Sequence, residues 1–516
     1  MKYFLLLFLF SVVLSSCSKT TNIKSLTYNE QHRPQFHFSP ERGWMNDPNG
    51  LVFYDNTYHL FYQHFPDSNV WGPMHWGHAI SNDLVHWKNQ PIALYPDSLG
   101  YIFSGSAVID HQNTSGFQNG NEKAMVSIFT YHDNEKERAG RMDRESQGIA
   151  YSNDKGSTWL KYRGNPVLKN KGDKDFRDPK VFWYEGTKKW IMPLAVGDHL
   201  EIFSSPNLKD WIKESDFGKN EGSHGGTWEC PDLFPLKTAD EKEKWVLIQN
   251  MDRGSVNGGS GTQYFIGQFD GKTFTNDNES TKVLWLDYGA DNYAGVTWFG
   301  APQSRRIFIG WMSNWDDYAN LVPTKGWRSA MTIPREILLV NTPDGLRVSQ
   351  QPVEELKKLR EEKMSIKQKT FSDSLSISGT NVLKELDLAF DLSKSESTSL
   401  GFTISNSMNE KVTVGYDKTK NEFYIDRTTS GKTEFSKKFA ARHSSPFKAR
   451  DILKIHAFID NSSIEVFVDD GLIVMTELFF PNEDYFKVAL FSKGGSVELL
   501  KADIYKLNSI WGAEIK

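Results

Sequence analysis

The chain has 516 residues, with 60 Lys and Arg against 65 Asp and Glu and a formal net charge of −5. That length exceeds one ordinary hydrophobic core, so two domains are expected, and the weakly acidic balance gives no electrostatic basis for nucleic-acid binding. Aromatic residues make up 13% of the chain and 39 Gly supply turns, a mixture that favours β-structure over helix.

Met1-Lys2 is a short positive segment and residues 3–14 form an apolar run too short to span a bilayer as a stable helix. Leu14-Ser15-Ser16-Cys17 follows and resembles a bacterial lipoprotein signal, which implies lipidation of Cys17 as the first mature residue. Residues 1–17 are therefore read as the signal and 18–36 as a flexible polar tether. The lipid anchor would hold the protein in the cell envelope, at the outer membrane, on its periplasmic or outer face. With Cys17 lipidated, Cys230 has no intramolecular disulfide partner, and no Cys/His set has zinc-ligand spacing. The densest histidines, His75, His78 and His86, sit among aromatics and read as packing and hydrogen-bonding groups. No metal and no cofactor are expected.

From residue 45 to about 340 the pattern is short strands and tight turns. Residues 51–54, the turn Asp55-Asn56 and residues 58–62 read as strand, turn, strand. Further hairpins are read at 106–109 with 124–131, 181–184 with 190–194, 233–236 with 245–249, and 296–299 with 307–312. A second echo links 81–87, 152–159 and 205–211, each with a Ser, an Asn or Asp, and a Trp six or seven positions after the Ser. Self-similarity at this spacing predicts a radial repeat of small sheets, and five first hairpins predict five blades. The alternative is a sandwich whose turns resemble one another by chance.

Residues 353–363 carry Val353, Leu356 and Leu359 at helical spacing and predict a short helix within a linker, 348–369. From 370 to 516 alternating strands return, at 382–392, 411–416, 453–458, 463–468 and 486–491, separated by turns such as Asp469-Asp470-Gly471. The fold class is thus all-β: a five-bladed β-propeller over 37–347 followed by a C-terminal β-sandwich. The second domain shows no acid/base constellation and reads as structural or ancillary.

Three acids stand out when the hairpins are overlaid. Asp47-Pro48 precedes the strand at Leu51, Asp178-Pro179 the strand at Val181, and Glu229-Cys230-Pro231 the strand at Leu233. First strands of propeller blades line the central axis, so the overlay predicts three carboxylates at one equivalent position, meeting in one funnel. Structure seldom needs three like charges together, whereas glycoside chemistry needs one carboxylate ionised and another protonated. Arg177 beside Asp178 predicts an ionised acid there. Trp228 and Cys230 flanking Glu229 predict a neutral one, which makes Glu229 the candidate proton donor and Asp47 and Asp178 its anionic partners.

Trp44-Met45-Asn46-Asp47-Pro48-Asn49-Gly50, Phe176-Arg177-Asp178-Pro179 and Trp228-Glu229-Cys230-Pro231 resemble the three signature motifs of glycoside hydrolase family 32, the β-fructosidases. Trp76-Gly77-His78, Phe103-Ser104-Gly105-Ser106 and Trp327-Arg328-Ser329-Ala330-Met331 are similar to further family blocks. The resemblance implies a five-bladed propeller followed by a sandwich, with Asp47 as nucleophile, Glu229 as acid/base and Asp178 as transition-state stabiliser. It also implies a fructose subsite lined by Trp44, Asn46, Gln63, Trp71, Phe103, Ser104, Arg177 and Trp315. Residues 310–315, with Ala319-Asn320 and Pro323-Thr324, resemble levanases and exo-inulinases more than intracellular sucrose-phosphate hydrolases. The implied partner is therefore a fructan or sucrose substrate, cleaved at a terminal fructosyl linkage. Asn292, where the family usually has phenylalanine, bears on fine specificity. A fructosyltransferase shares this machinery and differs in acceptor. A related five-bladed glycosidase acting on arabinose or xylose polymers lacks the Trp44–Gly50 block, and a non-catalytic fructan-binding lipoprotein would not need all three acids.

Overall fold

The computed structural model describes residues 28–377 and 381–511, so the lipoprotein signal, Cys17 and residues 18–27 of the tether lie outside the described residues. Five antiparallel sheets follow one another between residues 43 and 352. Blade one contains Gly43–Tyr54, Thr57–Phe65, His75–Ser81 and Lys88–Leu94 in that spatial order. The later blades begin at Tyr101–Asp110, Phe176–Arg177, Trp228–Lys237 and Tyr293–Thr297.

Hydrogen bonds link these first strands, and residues just beyond them, in a closed ring around one axis. Gly105 N donates to Asn49 Oδ1 at 3.2 Å, Ser106 Oγ to Pro179 O at 2.9 Å, and Cys230 N to Asp178 Oδ2 at 3.0 Å. Thr297 N donates to Asp232 Oδ2 at 2.6 Å, and Phe53 N to Phe299 O at 2.9 Å closes the circle. Closure is completed by Trp327–Arg328 pairing parallel to Gly43-Trp44. Between neighbouring blades lie separate apolar cores. Val52, Phe61 and Trp76 meet Ile102 and Phe129 between blades one and two, and Leu233 and Leu247 meet Ile191 and Ile202 between blades three and four. Each sheet buries both faces against its neighbours, which is why its strands read as continuous apolar runs.

The Ser-to-Trp echo is a recurring turn after the third strand of blades one to three. Trp87, Trp159 and Trp211 each donate the indole N–H to a backbone carbonyl three residues earlier, at 3.1, 3.1 and 2.9 Å. The intervening turn needs a positive φ, at Leu84, Gly156 and Leu208. The ring therefore anchors a strained turn, and the echo marks true repeats.

The predicted linker helix is a 3-10 turn over Glu354–Leu359, and Arg360–Ile366 is a strand. Leu356 and Leu359 face the core as the spacing required. Beyond them Lys363 to Ile366 pair with the last strand, Lys487–Leu507, with Met364 and Ile366 half-buried and Lys363 and Ser365 exposed. That 21-residue strand joins both layers of a sandwich. Its first part pairs with Ser399–Ser405 and its second with Lys384–Asp391, with Gly494 and Gly495 at positive φ between them.

Residues 28–36 are packed, contrary to the expectation of a tether extending to residue 36. Arg33 is buried, donates to Ser39, Pro40 O and Glu41 O, pairs with Glu30 and lies over the Trp327 ring. Tyr28 stacks on Trp511 at 3.7 Å. A short polar-looking segment thus binds both ends of the fold through one guanidinium and one ring pair.

Propeller and sandwich meet across buried charges. His37 Nδ1 lies 2.7 Å from Asp460 and its Nε2 2.8 Å from Glu465, and Arg335 bridges Glu465 to Asp287. Burial by itself would lower the imidazole, but Asp460 and Glu465 overcome it and push His37 up to about 9. A folded-state value above the ordinary 6.5 stabilises the fold fully below that value and loses its contribution as pH rises through about 9. His37→Gln should therefore depress the thermal midpoint most near pH 6 and progressively less toward pH 10, in unfolding scans at roughly unit intervals. A gap independent of pH would contradict this.

Candidate active site

Each inner strand carries one extra residue at the same place. Three steps from Met45 to Pro48 match two from His64 to Tyr62, and the same offset separates Ile102 from Gly105, Glu229 from Asp232 and Tyr293 from Val296. In blade three it falls between Arg177, paired with Ala195, and Lys180, whose N–H reaches Pro193 O. These are β-bulges, which break the alternation of side chains and re-aim them. The prolines at 48, 179 and 231 suit such points because a bulge leaves ladder positions unpaired.

The overlay of acid-proline pairs misplaced the register. The acids stand at three consecutive positions of the bulge: Glu229 before the extra residue, Asp178 at the next place and Asp47 one further. Glu229 thus shares its register with Arg177 and Tyr293, Asp178 with Phe103 and Cys230, and Asp47 with Ser104. Asp178 and Cys230 adopt positive φ, at 66° and 44°. Such conformations cost ~1–3 kcal/mol each and persist only where surroundings hold them. Here buried side chains take up backbone groups at and around the bulges. Asp178 N donates to Thr130 Oγ1 at 3.0 Å, Gln249 Nε2 to Glu229 O at 2.9 Å, and Asn250 Nδ2 to Cys230 O at 2.8 Å.

Asp47 accepts from Ser104 Oγ at 2.6 Å and Asn46 Nδ2 at 2.9 Å. Cys230 Sγ lies 3.5 Å from both Asp47 Oδ2 and Asp178 Oδ2, which brings those two acids together over one thiol. Arg177 turns away from its sequence neighbour Asp178. Its Nε and Nη2 reach Glu229 Oε1 at 3.0 and 2.7 Å, while Nη1 contacts Glu145 at 3.1 Å and Asp175 at 2.8 Å. Tyr293 donates its hydroxyl to the other oxygen of Glu229.

This reverses the environments expected from neighbouring residues in the chain. Trp228 is fully buried behind Glu229 and Cys230 faces the two aspartates, so Glu229 is in polar company. Burial raises all three acids. At Asp47 the bonds from Ser104, Asn46 and Cys230 oppose it; at Glu229 Arg177 and Tyr293 do so. Asp178 is raised furthest, by burial and by the charges of Glu229 and Asp47, against the pull of Arg177. Glu145 is held down to about 2, burial being outweighed by Arg177 and His132. The charge of Glu229 raises Asp178, so those two acids lose their protons as an interacting pair.

A cavity of about 490 Å³ opens over this set. Asn46, Gln63, Trp71, Phe103, Ser104, Arg177 and Trp315 all line it, as expected. Trp44 does not: it is fully buried, donates to Asn46 Oδ1 at 2.7 Å and packs against Trp311 and Trp315. Its contact is with Asn46, which stands between it and the cavity. Among the other wall residues, His132, Arg144, Glu145, Asp252 and Arg253 were missed, because they come from later strands and loops without a repeated motif. Tyr293 was missed too, because the register it shares with Glu229 is visible only in the strand pairing. Asn292 faces Asp287, at 3.1 Å, and not the cavity, so its departure from the family pattern touches the domain interface. A larger cavity of about 560 Å³ lies further along the same inner strands, but its buried acid, Asp232, is already paired with Lys180 at 3.1 Å.

Acids converging with aromatic walls in a propeller funnel define a glycoside-cleaving protein. Residues 37–352 match the Glycosyl hydrolases family 32 N-terminal domain and residues 355–506 the Glycosyl hydrolases family 32 C terminal domain. The chain is 47% identical to a levanase of Bacillus subtilis (strain 168), covering 98% of this chain and 74% of that one. It is 39% identical to an extracellular exo-inulinase of Aspergillus awamori, over 94% of this chain and 96% of the relative. The crystal structure of exo-inulinase from Aspergillus awamori superposes with a TM-score of 0.86 at 36% identity, covering 94% of this chain and 100% of that one. The chain belongs to glycoside hydrolase family 32. It is an enzyme of the β-fructofuranosidase type.

Proposed function

We propose that the protein is a retaining β-fructosidase that releases terminal fructose from levan, inulin or shorter fructans, and from sucrose. The observation that carries this is the convergence of Asp47, Asp178 and Glu229 at the floor of one polar cavity, with a single guanidinium on Glu229. Asp47, held by hydroxyl, amide and thiol donors, attacks the anomeric C2 of the bound fructosyl unit. Glu229 gives its proton to the departing oxygen, then as a base activates water against the fructosyl-enzyme. Two displacements at one carbon return the β configuration. Asp178 holds fructosyl hydroxyls, and its carboxylate steadies the sugar as it becomes cationic. Arg177 keeps Glu229 in place and limits how far burial raises it.

The cavity volume lies in the range of small-ligand sites. Trp71, Phe103 and Trp315 offer ring faces or edges to a sugar, and Asn46 and Gln63 offer amides. The names of the relatives, levanase and exo-inulinase, support fructan as the polymer.

Glu229→Gln should lower fructose release from levan and sucrose by ~10²–10⁴-fold. Asp47→Asn should abolish it, and NMR on the wild type should find β-fructose as the first-formed anomer. Undiminished release by Glu229→Gln, or oligosaccharides as the dominant products at high sucrose, would contradict the assignment.

We infer also that the enzyme is exported and anchored through a lipid on Cys17, from the Leu14-Ser15-Ser16-Cys17 segment and a relative named as extracellular. Cys17→Ser should move the enzyme from the membrane to the soluble fraction. Retention of that variant in the membrane fraction would refute the anchor.

A further inference from the structure

We propose that the sandwich is a working part of the active site: Arg427, through Asp291, is a positioning residue that sets Tyr293 against Glu229. The proposal rests on Glu229 as proton donor. Tyr293 is the first residue of its strand, and the six residues before it are docked on the sandwich strand Ile473–Leu478. Tyr288 N donates to Val474 O at 2.8 Å and Asp291 N to Thr476 O at 3.1 Å. Asp287 accepts from Thr476 N at 3.0 Å and Thr476 Oγ1 at 2.6 Å, and Ala290 N donates to Glu477 Oε1 at 3.2 Å.

At the end of this docked run Asp291 is completely buried. Its Oδ2 takes Arg427 Nη1 at 2.5 Å and Leu478 N at 2.8 Å, and its Oδ1 takes the Tyr318 hydroxyl at 2.7 Å. Arg427 also donates to Phe439 O at 2.7 Å, Tyr318 Oη at 2.9 Å and Leu478 O at 3.2 Å, and lies 2.9 Å from Glu477 Oε2. The guanidinium therefore has one geometry, and so does the carboxylate two residues before Tyr293. A buried ion pair of this kind is weak evidence of stabilisation but good evidence of an imposed position. The position matters because the phenol of Tyr293 and the fork of Arg177 hold opposite oxygens of Glu229. A misplacement of a fraction of an ångström at Tyr293 frees one of them.

The groups facing Glu229 are Arg177, Asp47, Asp178, Cys230, Tyr293 and, at the rim, Arg253. Only Tyr293 is attached to the docked run. The Tyr293 bond favours the ionised form of Glu229, so its loss should raise the alkaline limb of kcat/KM, by about one pH unit.

The test compares pH profiles of kcat/KM on sucrose for Tyr293→Phe, the charge-neutral pair Asp291→Asn with Arg427→Met, and all three together. The expected result is that the pair moves the alkaline limb upward by a large part of the Tyr293→Phe shift, and adds nothing to it in the triple variant. Tyr318→Phe, which deletes one bond to Asp291 and keeps the ring, should give a smaller shift in the same direction; it decides the matter where the pair does not fold. A profile unchanged in the pair, or in Tyr318→Phe if that alone folds, would overturn the proposal, as would additive shifts. If Tyr293→Phe itself leaves the limb in place, the assignment of Glu229 as the acid falls first.

Discussion

One extra residue in each of five inner strands is the constraint on which the rest depends. A regular strand shows alternate side chains to the axis, so adjacent residues could not both face the substrate. The bulge removes that restriction where the strands converge. Asn46 and Asp47 both reach the cavity, as do Phe103 and Ser104, and Arg177 and Asp178. The cost is unpaired backbone and left-handed residues at Asp178, Cys230 and Ala294. Thr130, Gln249 and Asn250 meet that cost from second strands, buried and committed to main-chain bonds. The ring of hydrogen bonds between blades then holds the five bulges level with one another, and a pocket results that no single blade could form.

Acids crowd that pocket and outnumber its guanidinium groups. Arg177 lies among Asp175, Glu145 and Glu229, with Asp47 and Asp178 close by, and Arg144 shares Asp175 with it at 2.8 Å. Desolvation favours neutral acids and raises Asp47, Asp178 and Glu229, while Arg177 opposes it at Asp178 and Glu229. Two-step glycoside cleavage requires one such acid neutral and another ionised. Specific donors decide the division: Ser104 and Asn46 serve Asp47, while Tyr293 and Arg177 serve Glu229.

Much of this was legible from residue patterns. Five hairpins with recurring Ser-to-Trp turns predicted five blades, because each turn must solve the same backbone problem at Leu84, Gly156 and Leu208. The three acids were legible because acid and proline recur before apolar strands. Their relative register was not, since a bulge is set by pairing across strands and leaves no fixed mark in one of them. Nor could side-chain direction be inferred from adjacency: Arg177 precedes Asp178 yet binds Glu229, and Trp228 precedes Glu229 yet is buried behind it. The ancillary reading of the sandwich failed to anticipate its buried ions for a related reason. Asp291, Arg427 and Glu477 are far apart in the chain, each looks like an ordinary strand-end charge, and only packing makes them one cluster.

The central claim is that the Asp47 carboxylate, aimed by the bulge, forms a covalent bond to fructose. It is tested most directly by mass spectrometry of the Glu229→Gln enzyme, quenched while turning over a fructosyl donor whose leaving group needs no proton. The account predicts one fructosyl unit on the proteolytic peptide that contains Asp47. Attachment at Asp178, or no adduct together with release of α-fructose, would contradict it.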